Sequence, residues 1–163
     1  MKGDETVREH LQKALTMEFT AVHQYLLHAH VLENWGLRRL ADKMREEMRE
    51  ELGHADRFAA RMMFLEGEPD AQSMGSVDRA QTLEDMFKAD LQDEYEARRF
   101  YTEASQTAAK AGDLGIEALF REIALDEEGH IDWLETQLDL LGRVGEAGFY
   151  QLYAAPLEED EED

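Results

Sequence analysis

The chain of 163 residues has no cysteine. Disulfides, zinc–thiolate knuckles, iron–sulfur clusters and thiol chemistry are therefore excluded. Proline occurs only twice, at Pro69 and Pro156, so the stretches 1–68 and 70–155 lack the strongest helix breaker. No apolar run exceeds four residues, Met62 to Leu65 being one of that length. Nothing reads as a membrane span or a signal-peptide core. Bases are scarce: 17 Lys and Arg face 38 Asp and Glu, a formal net charge of −21. That balance argues against nucleic acid and against an anionic membrane as partners, since both require basic patches. A cytoplasmic location is expected.

Against these absences, Ala, Leu, Glu, Met and Arg are abundant and Val, Ile and Thr sparse, a helix-forming composition. Three- and four-residue apolar steps predict four long helices. The first covers about Glu5 to Trp35, carries Leu11, Leu15, Val22, Leu26, Ala29 and Leu32, and stops at Gly36. The second runs from about Leu37 to Leu65 and ends at Gly67 and Pro69. The third starts after Thr82, a candidate cap with Asp85 three residues on, and reaches Ala111 before Gly112. The fourth follows Asp113 and extends past Leu141, and a short fifth helix is expected over Glu146 to Ala154. Short loops make helices one and two, and three and four, antiparallel hairpins. The polar segment from Glu66 to Gln81 is long enough to cross the bundle lengthwise. The expectation is an all-α four-helix bundle of two antiparallel hairpins with one long crossover. It forms one domain over 1–156, followed by a disordered tail at 157–163 in which six of seven residues are acidic.

Each helix carries an acid where an apolar residue is due. Glu18 lies between Leu15 and Val22, Glu51 between Met48 and Ala55, Glu94 between Leu91 and Ala97, and Glu127 between Ile123 and Ile131. A carboxylate on a core face is costly unless paired or metal-bound. Two of these acids open a Glu-x-x-His, Glu51 to His54 and Glu127 to His130, whose ends share a helix face. Glu18 precedes the first motif, and Glu94 the second, by the same 33 residues, so the second half repeats the first at an offset of 76. One Glu-x-x-His in an acidic helical protein is commonplace; two in this arrangement are not. Four carboxylates and two imidazoles match two divalent cations, with iron or manganese suited to oxygen-rich ligation without sulfur. This donor set is the known one of di-iron and di-manganese carboxylate bundles. His10, His23, His28 and His30 have no such motif and are expected in surface or packing roles. Met44, Met48 and Met62 read as core or interface filler. Tyr25 and Trp133, close in sequence to ligand candidates, are either buried packing or electron donors to the centre.

The opening MKGDETVREHL, the run from Gln24 to His30, and the segments NWGLRRLAD, HADR, FLEGEP and DEEGHIDWLETQLDLL resemble the bacterioferritins, over about residues 1–153. The resemblance implies a ferritin-like subunit in a hollow homo-oligomeric cage of twenty-four. It also implies a ferroxidase centre at the six residues above, oxidation of Fe(II) by dioxygen or peroxide, and storage of ferric mineral inside. A reductase or ferredoxin would release the iron. The family binds haem between subunits through a methionine two residues before the first motif histidine. That position is Leu52 here, so haem is not expected in a homo-oligomer. Met48 is a full turn, about 5.4 Å, away. A cage mixed with a haem-binding partner subunit is an alternative. The resemblance further suggests a pore at Asn34, Glu66, Asp132 and Asp139 and inner-wall iron positions at Glu46 and Glu50. Rival readings are a rubrerythrin-like or manganese-catalase-like peroxidase and a structural shell with a vestigial site.

Overall fold

The structure, a computed structural model, describes residues 1–154; the expected domain limit at 156 and the acidic tail at 157–163 lie outside the described residues. Four helices form: α1 Glu5–Asn34, α2 Arg38–Phe64, α3 Leu83–Lys110 and α4 Leu114–Tyr153. Three starts are capped by side chains that accept a backbone N–H otherwise without a partner. Asp4 accepts from Val7, Thr82 from Asp85 and Asp113 from Ile116, at 3.0–3.2 Å. The two hairpin turns are built alike. Gly36 and Gly112, 76 residues apart, sit at φ 82° and 74°, a left-handed conformation that glycine adopts without penalty. Each is followed by an N–H that reaches back five residues, Leu37 to Leu32 and Asp113 to Ala108, both at 2.9 Å, closing the helix end.

The crossover has no helix or strand of its own and runs parallel to α1. Three α1 side chains hold its backbone in register. Gln12 exchanges bonds with the N–H and C=O of Asp70, Thr20 accepts from Gly75, and Gln24 exchanges bonds with Asp78. Advancing along α1 advances along the crossover, so the chain returns to the end where α2 began. Hence α3 lies antiparallel to α1, and α4 to α2.

Apolar residues divide into two cores at the two ends of the bundle. One contains Leu11, Leu15, Phe58, Met62, Phe100, Tyr101, Phe120 and Ile123. The other contains Leu32, Leu40, Met44, Met86, Phe87, Leu134 and Phe149. Each large side chain so buried contributes about 1.5–3 kcal/mol. Between the cores lies a belt of buried polar groups. Leu26, expected on the inward stripe, is 40% exposed; the inward phase runs through Tyr25 and Ala29 instead. The terminal helix is realised as a continuation of α4 beyond a kink at Gly145 (φ 68°, ψ 170°). Its Phe149 is fully buried against Phe87, and Arg39 donates to the Leu152 carbonyl at 3.2 Å. Among the described residues no helix is long and apolar enough to cross a membrane.

Candidate metal centre

The six acids and histidines expected to meet do meet, in the polar belt, and all six are buried. They form two groups, Glu18–Glu51–His54–Glu127 and Glu51–Glu94–Glu127–His130, each with one donor atom per residue within 4.8 Å of the rest. Glu51 and Glu127 belong to both. The imidazole rings lie 6.5 Å apart and nearly parallel. His54 Nδ1 is 3.0 Å from Glu51, 3.6 Å from Glu127 and 3.8 Å from Glu18. His130 Nδ1 is 3.1 Å from both Glu127 and Glu51 and 3.5 Å from Glu94. Each ring thus turns the same nitrogen toward the acids of its own half and toward both shared acids.

Electrostatics follow from packing four acids and two bases out of water. Burial pushes Glu18, Glu94 and Glu127 up from the usual carboxylate range. Burial acts the same way on Glu51, but the adjoining His130 and His54 rings outweigh it and hold that carboxyl far down. Burial alone would lower His54; Glu18 and Glu51 more than offset it and raise the imidazole to about 11. Glu127, Glu47, Glu51 and Glu94 likewise raise His130 far above its ordinary value. The shifts on Glu18, Glu94, Glu127 and both imidazoles thus favour bound protons, and that on Glu51 favours its ionised form. Both oxygens of Glu127 and Oε1 of Glu51 are buried and make no hydrogen bond among the described residues. Buried oxygens in that condition are unfavourable and fit a cation, so the donor set fits two divalent ions.

Further side chains surround the six, and Tyr101, Lys43, Glu47, Asp90 and Asp126 among them were not singled out from the sequence. The Tyr25 hydroxyl, expected near the site, donates to Glu94. Tyr101, 76 residues later, donates to Glu18 at 2.6 Å. The repeat offset carried that signal. The outer nitrogen of His130 faces buried Glu47 at 2.9 Å and Glu50 at 3.4 Å, and Lys43 pairs with Glu47. That of His54 faces Asp126 at 3.3 Å. A carboxylate on the second imidazole nitrogen fixes the tautomer that presents the first to a metal. His28, expected in a surface or packing role, is buried and bonded to buried Asp90 at 3.1 Å.

The remaining candidates stand apart. Trp133 packs edge-on against Phe87, with the Lys43 ammonium 5.4 Å from its ring, and Lys43 in turn pairs with Glu47 beside His130. Glu50 adjoins His130, whereas Glu46 is exposed and in neither ligand group. Asn34 and Glu66 occupy opposite ends of the first hairpin, about 44 Å apart along α1. Asp132 and Asp139 lie on the exposed side of α4, with Asp139 paired to Arg143. One chain does not bring those four together. Leu52 is half-exposed, while Met48 packs against the second core.

A cavity of about 260 Å³ adjoins the centre. Glu18, Glu51, Glu94 and Glu127 form its floor, α1 and α3 its sides, and Gly75 and Ser76 of the crossover part of its outer wall. Asp93, at its margin, has its carboxyl pushed up to about 6 by partial burial and by Asp90 and Glu96.

Residues 8–144 match the model of the ferritin-like domain. The chain is 47% identical to a bacterioferritin of Brucella melitensis over 99% of its own length and all of the relative's. It is 43% identical to that of Rhodobacter capsulatus, whose structure superposes with a TM-score of 0.94 over 97% of this chain and 99% of that one. That structure was solved with a metal-free dinuclear site and with haem iron on a crystallographic special position. A Mycobacterium tuberculosis bacterioferritin superposes with a TM-score of 0.92 at 37% identity, over 95% and 98% of the two chains.

Proposed function

From the premise that this chain belongs to the bacterioferritin family of ferritin-like proteins, we propose that it stores iron, oxidising Fe(II) to Fe(III) at the belt centre and depositing ferric mineral inside a cage of twenty-four copies. The single observation that carries the oxidation reading is the pair of donor groups sharing Glu51 and Glu127. Two carboxylates common to two cations hold them close enough to react as a pair. Glu18 with His54, and Glu94 with His130, complete one half each. Iron, the substrate on this reading, supplies the electrons. Glu47 and Asp126 orient the imidazoles, and the Tyr25 and Tyr101 hydroxyls donate to the outer carboxylates. The protons bound there leave as the cations bind. The cavity under the crossover gives the substrate a way to the shared acids.

On the same reading Tyr25 donates an electron when the oxidant demands more than two irons provide, and Trp133 is a slower donor through Lys43 and Glu47. Asn34, Glu66, Asp132 and Asp139 line a pore only where copies meet, Glu50 with Glu46 holds iron on the inner wall, and the cage works in the cytoplasm with a reductase or ferredoxin to release its iron. Haem is absent from the homo-oligomer, because Leu52 offers no lone pair and Met48 is turned to the core. Leu52→Met introduces a bis-methionine haem spectrum; an intense haem band in the unmodified protein overturns this assignment.

The deciding experiment combines size-exclusion chromatography with stopped-flow oxidation. Subunits of 18.8 kDa elute as a particle of roughly 450 kDa. Two Fe(II) per chain are oxidised in a fast phase, followed by slow mineral growth. A monomer or dimer that consumes peroxide without retaining iron supports the peroxidase reading instead.

A further inference from the structure

Tyr101 is fully buried, and its hydroxyl donates to Glu18 Oε1 at 2.6 Å. It is the counterpart of Tyr25 in the internal repeat, and the two phenols are exchanged across the bundle. Tyr25 on α1 bonds the acid of α3, and Tyr101 on α3 bonds the acid of α1. Both line the cavity whose floor is the metal-binding acids. Their surroundings differ. Tyr101 is walled by Phe58, Phe100 and Phe120, with ring centres 5.5–5.8 Å away. Phenylalanine is not oxidised under conditions that oxidise a phenol, so among the described residues a hole on Tyr101 has no oxidisable ring in contact to move to.

We propose that Tyr101 is a second electron-donating residue of this centre, matched to Tyr25, and that together the two phenols supply the electrons that dioxygen requires beyond those of two Fe(II). The proposal rests on the ferroxidase reading. Reduction of one dioxygen to two waters consumes four electrons and four protons. Two Fe(II) give two electrons as they become Fe(III). Tyr25 and Tyr101 each give one electron and one proton, becoming neutral phenoxyl radicals, and solvent supplies the other two protons. The Tyr101 O–H bond is the one that breaks: its electron goes to the oxidant, and its proton passes along the existing hydrogen bond, by way of the Glu18 carboxylate, to the water being formed, leaving Glu18 ionised as before. Without the phenols the same two Fe(II) reduce dioxygen only to hydrogen peroxide.

The test is freeze-quench electron paramagnetic resonance on the full chain mixed with Fe(II) and dioxygen, with ordinary and ring-deuterated tyrosine, alongside a peroxidase-coupled assay of released peroxide. Tyr25→Phe retains a tyrosyl signal at about half the wild-type yield, Tyr101→Phe does likewise, and the double variant has none, as expected for independent donors. The double variant releases up to one hydrogen peroxide per centre in its first turnover, and the wild type releases little. Co(II) titration, which involves no oxidation, gives two ions per chain in Tyr101→Phe as in wild type. Loss of the whole radical signal in Tyr25→Phe with a wild-type signal in Tyr101→Phe overturns the proposal. Loss of Co(II) binding in Tyr101→Phe also overturns it, since the hydroxyl would then act by holding Glu18. Fluorotyrosine incorporated into Tyr25→Phe gives an independent reading, because a Tyr101 radical must then show fluorine hyperfine splitting. Failure of the wild type to oxidise Fe(II) rapidly overturns the ferroxidase reading itself and is recognised before any variant is made.

Discussion

The two halves of the bundle carry the same donors and different surroundings. Glu18, Tyr25, Glu51 and His54 recur as Glu94, Tyr101, Glu127 and His130, and even the turn glycines match. Around them the repeat breaks. Lys43 and Glu47, which hold His130 from outside, correspond to Leu119 and to Ile123, a fully buried core residue. The buried pair His28–Asp90 corresponds to Ala104 and Ala14, both packed in the other core. One half-site is therefore braced by buried charge and the other mainly by hydrocarbon, with half-exposed Asp126 on the outer nitrogen of His54. On the proposed function, matched donors would offer two ions the same ligands, and unmatched supports would make the two affinities unequal.

The largest effect should come from removing what the halves share. Glu51→Ala takes a donor from both groups, and fast Fe(II) oxidation should fall by roughly 100-fold or more, beyond the loss typical of an outer support. Glu18→Ala touches one group only and should leave one tight Co(II) per chain, seen in the visible spectrum. Two tight ions in Glu51→Ala would show that the carboxylate is not shared.

Next is the buried pair. Asp90→Ala leaves His28 buried without its acid and should cost about 3 kcal/mol. Replacing both residues by alanine, as the other half has it, should cost about 1–3 kcal/mol less than the sum of the single changes. Urea unfolding of the four proteins measures the coupling; simple additivity would mean that the pair stabilises nothing as a pair.

A smaller effect should separate the two histidines. Glu47→Gln should weaken one of two Co(II) affinities by about 10- to 100-fold, while Asp126→Asn, on a more solvated acid, should fall below that range. Equal losses would erase the asymmetry.

The most modest test uses pH. His54 binds its proton more tightly folded, near 11, than at its ordinary 6.5. Its contribution is complete below about 6.5 and is lost as pH rises toward 11. Glu18 and Glu127, also raised, lose theirs as pH rises above the ordinary carboxylate value of 4.5. The Tm of chelator-treated protein should therefore fall between pH 6 and 9. Co(II) affinity should rise over the same interval, because the ions displace those protons. A Tm that rises with pH in chelator would contradict the assignment.

Helices and the six donors were legible in the sequence because both depend on spacing along one chain. Apolar steps mark an inward face, and an acid on that face announces itself. Tyr101 was legible too, by adding the repeat offset to Tyr25, yet it passes for an ordinary core aromatic until its hydroxyl is seen on Glu18. Glu46, Glu47 and Glu50 are three acids on an acidic helix, and only the phase set by Glu51 and His54 turns Glu47 inward. The same one-residue error of phase put Leu26 on the buried stripe. His28 and Asp90 were beyond reach, since they sit on different helices, 62 residues apart, with no counterpart in the repeat. Asn34 and Glu66 cannot be joined by any reading of a single chain.

The ladder from α1 to the crossover has a consequence for time as well as shape. Where Gly75 and Ser76 wall the cavity, the chain is a single ply, tied by the Thr20 hydroxyl at Gly75 and the Gln24 amide at Asp78. Each tie closes a backbone amide that exchanges with solvent only when it opens. The protection factors of Gly75 and Asp78 are therefore a clock for the wall. If solute reaches the acids beneath by that path, it enters no faster than those two ties open, and Thr20→Val, which unties Gly75, should speed entry and the exchange of that amide together.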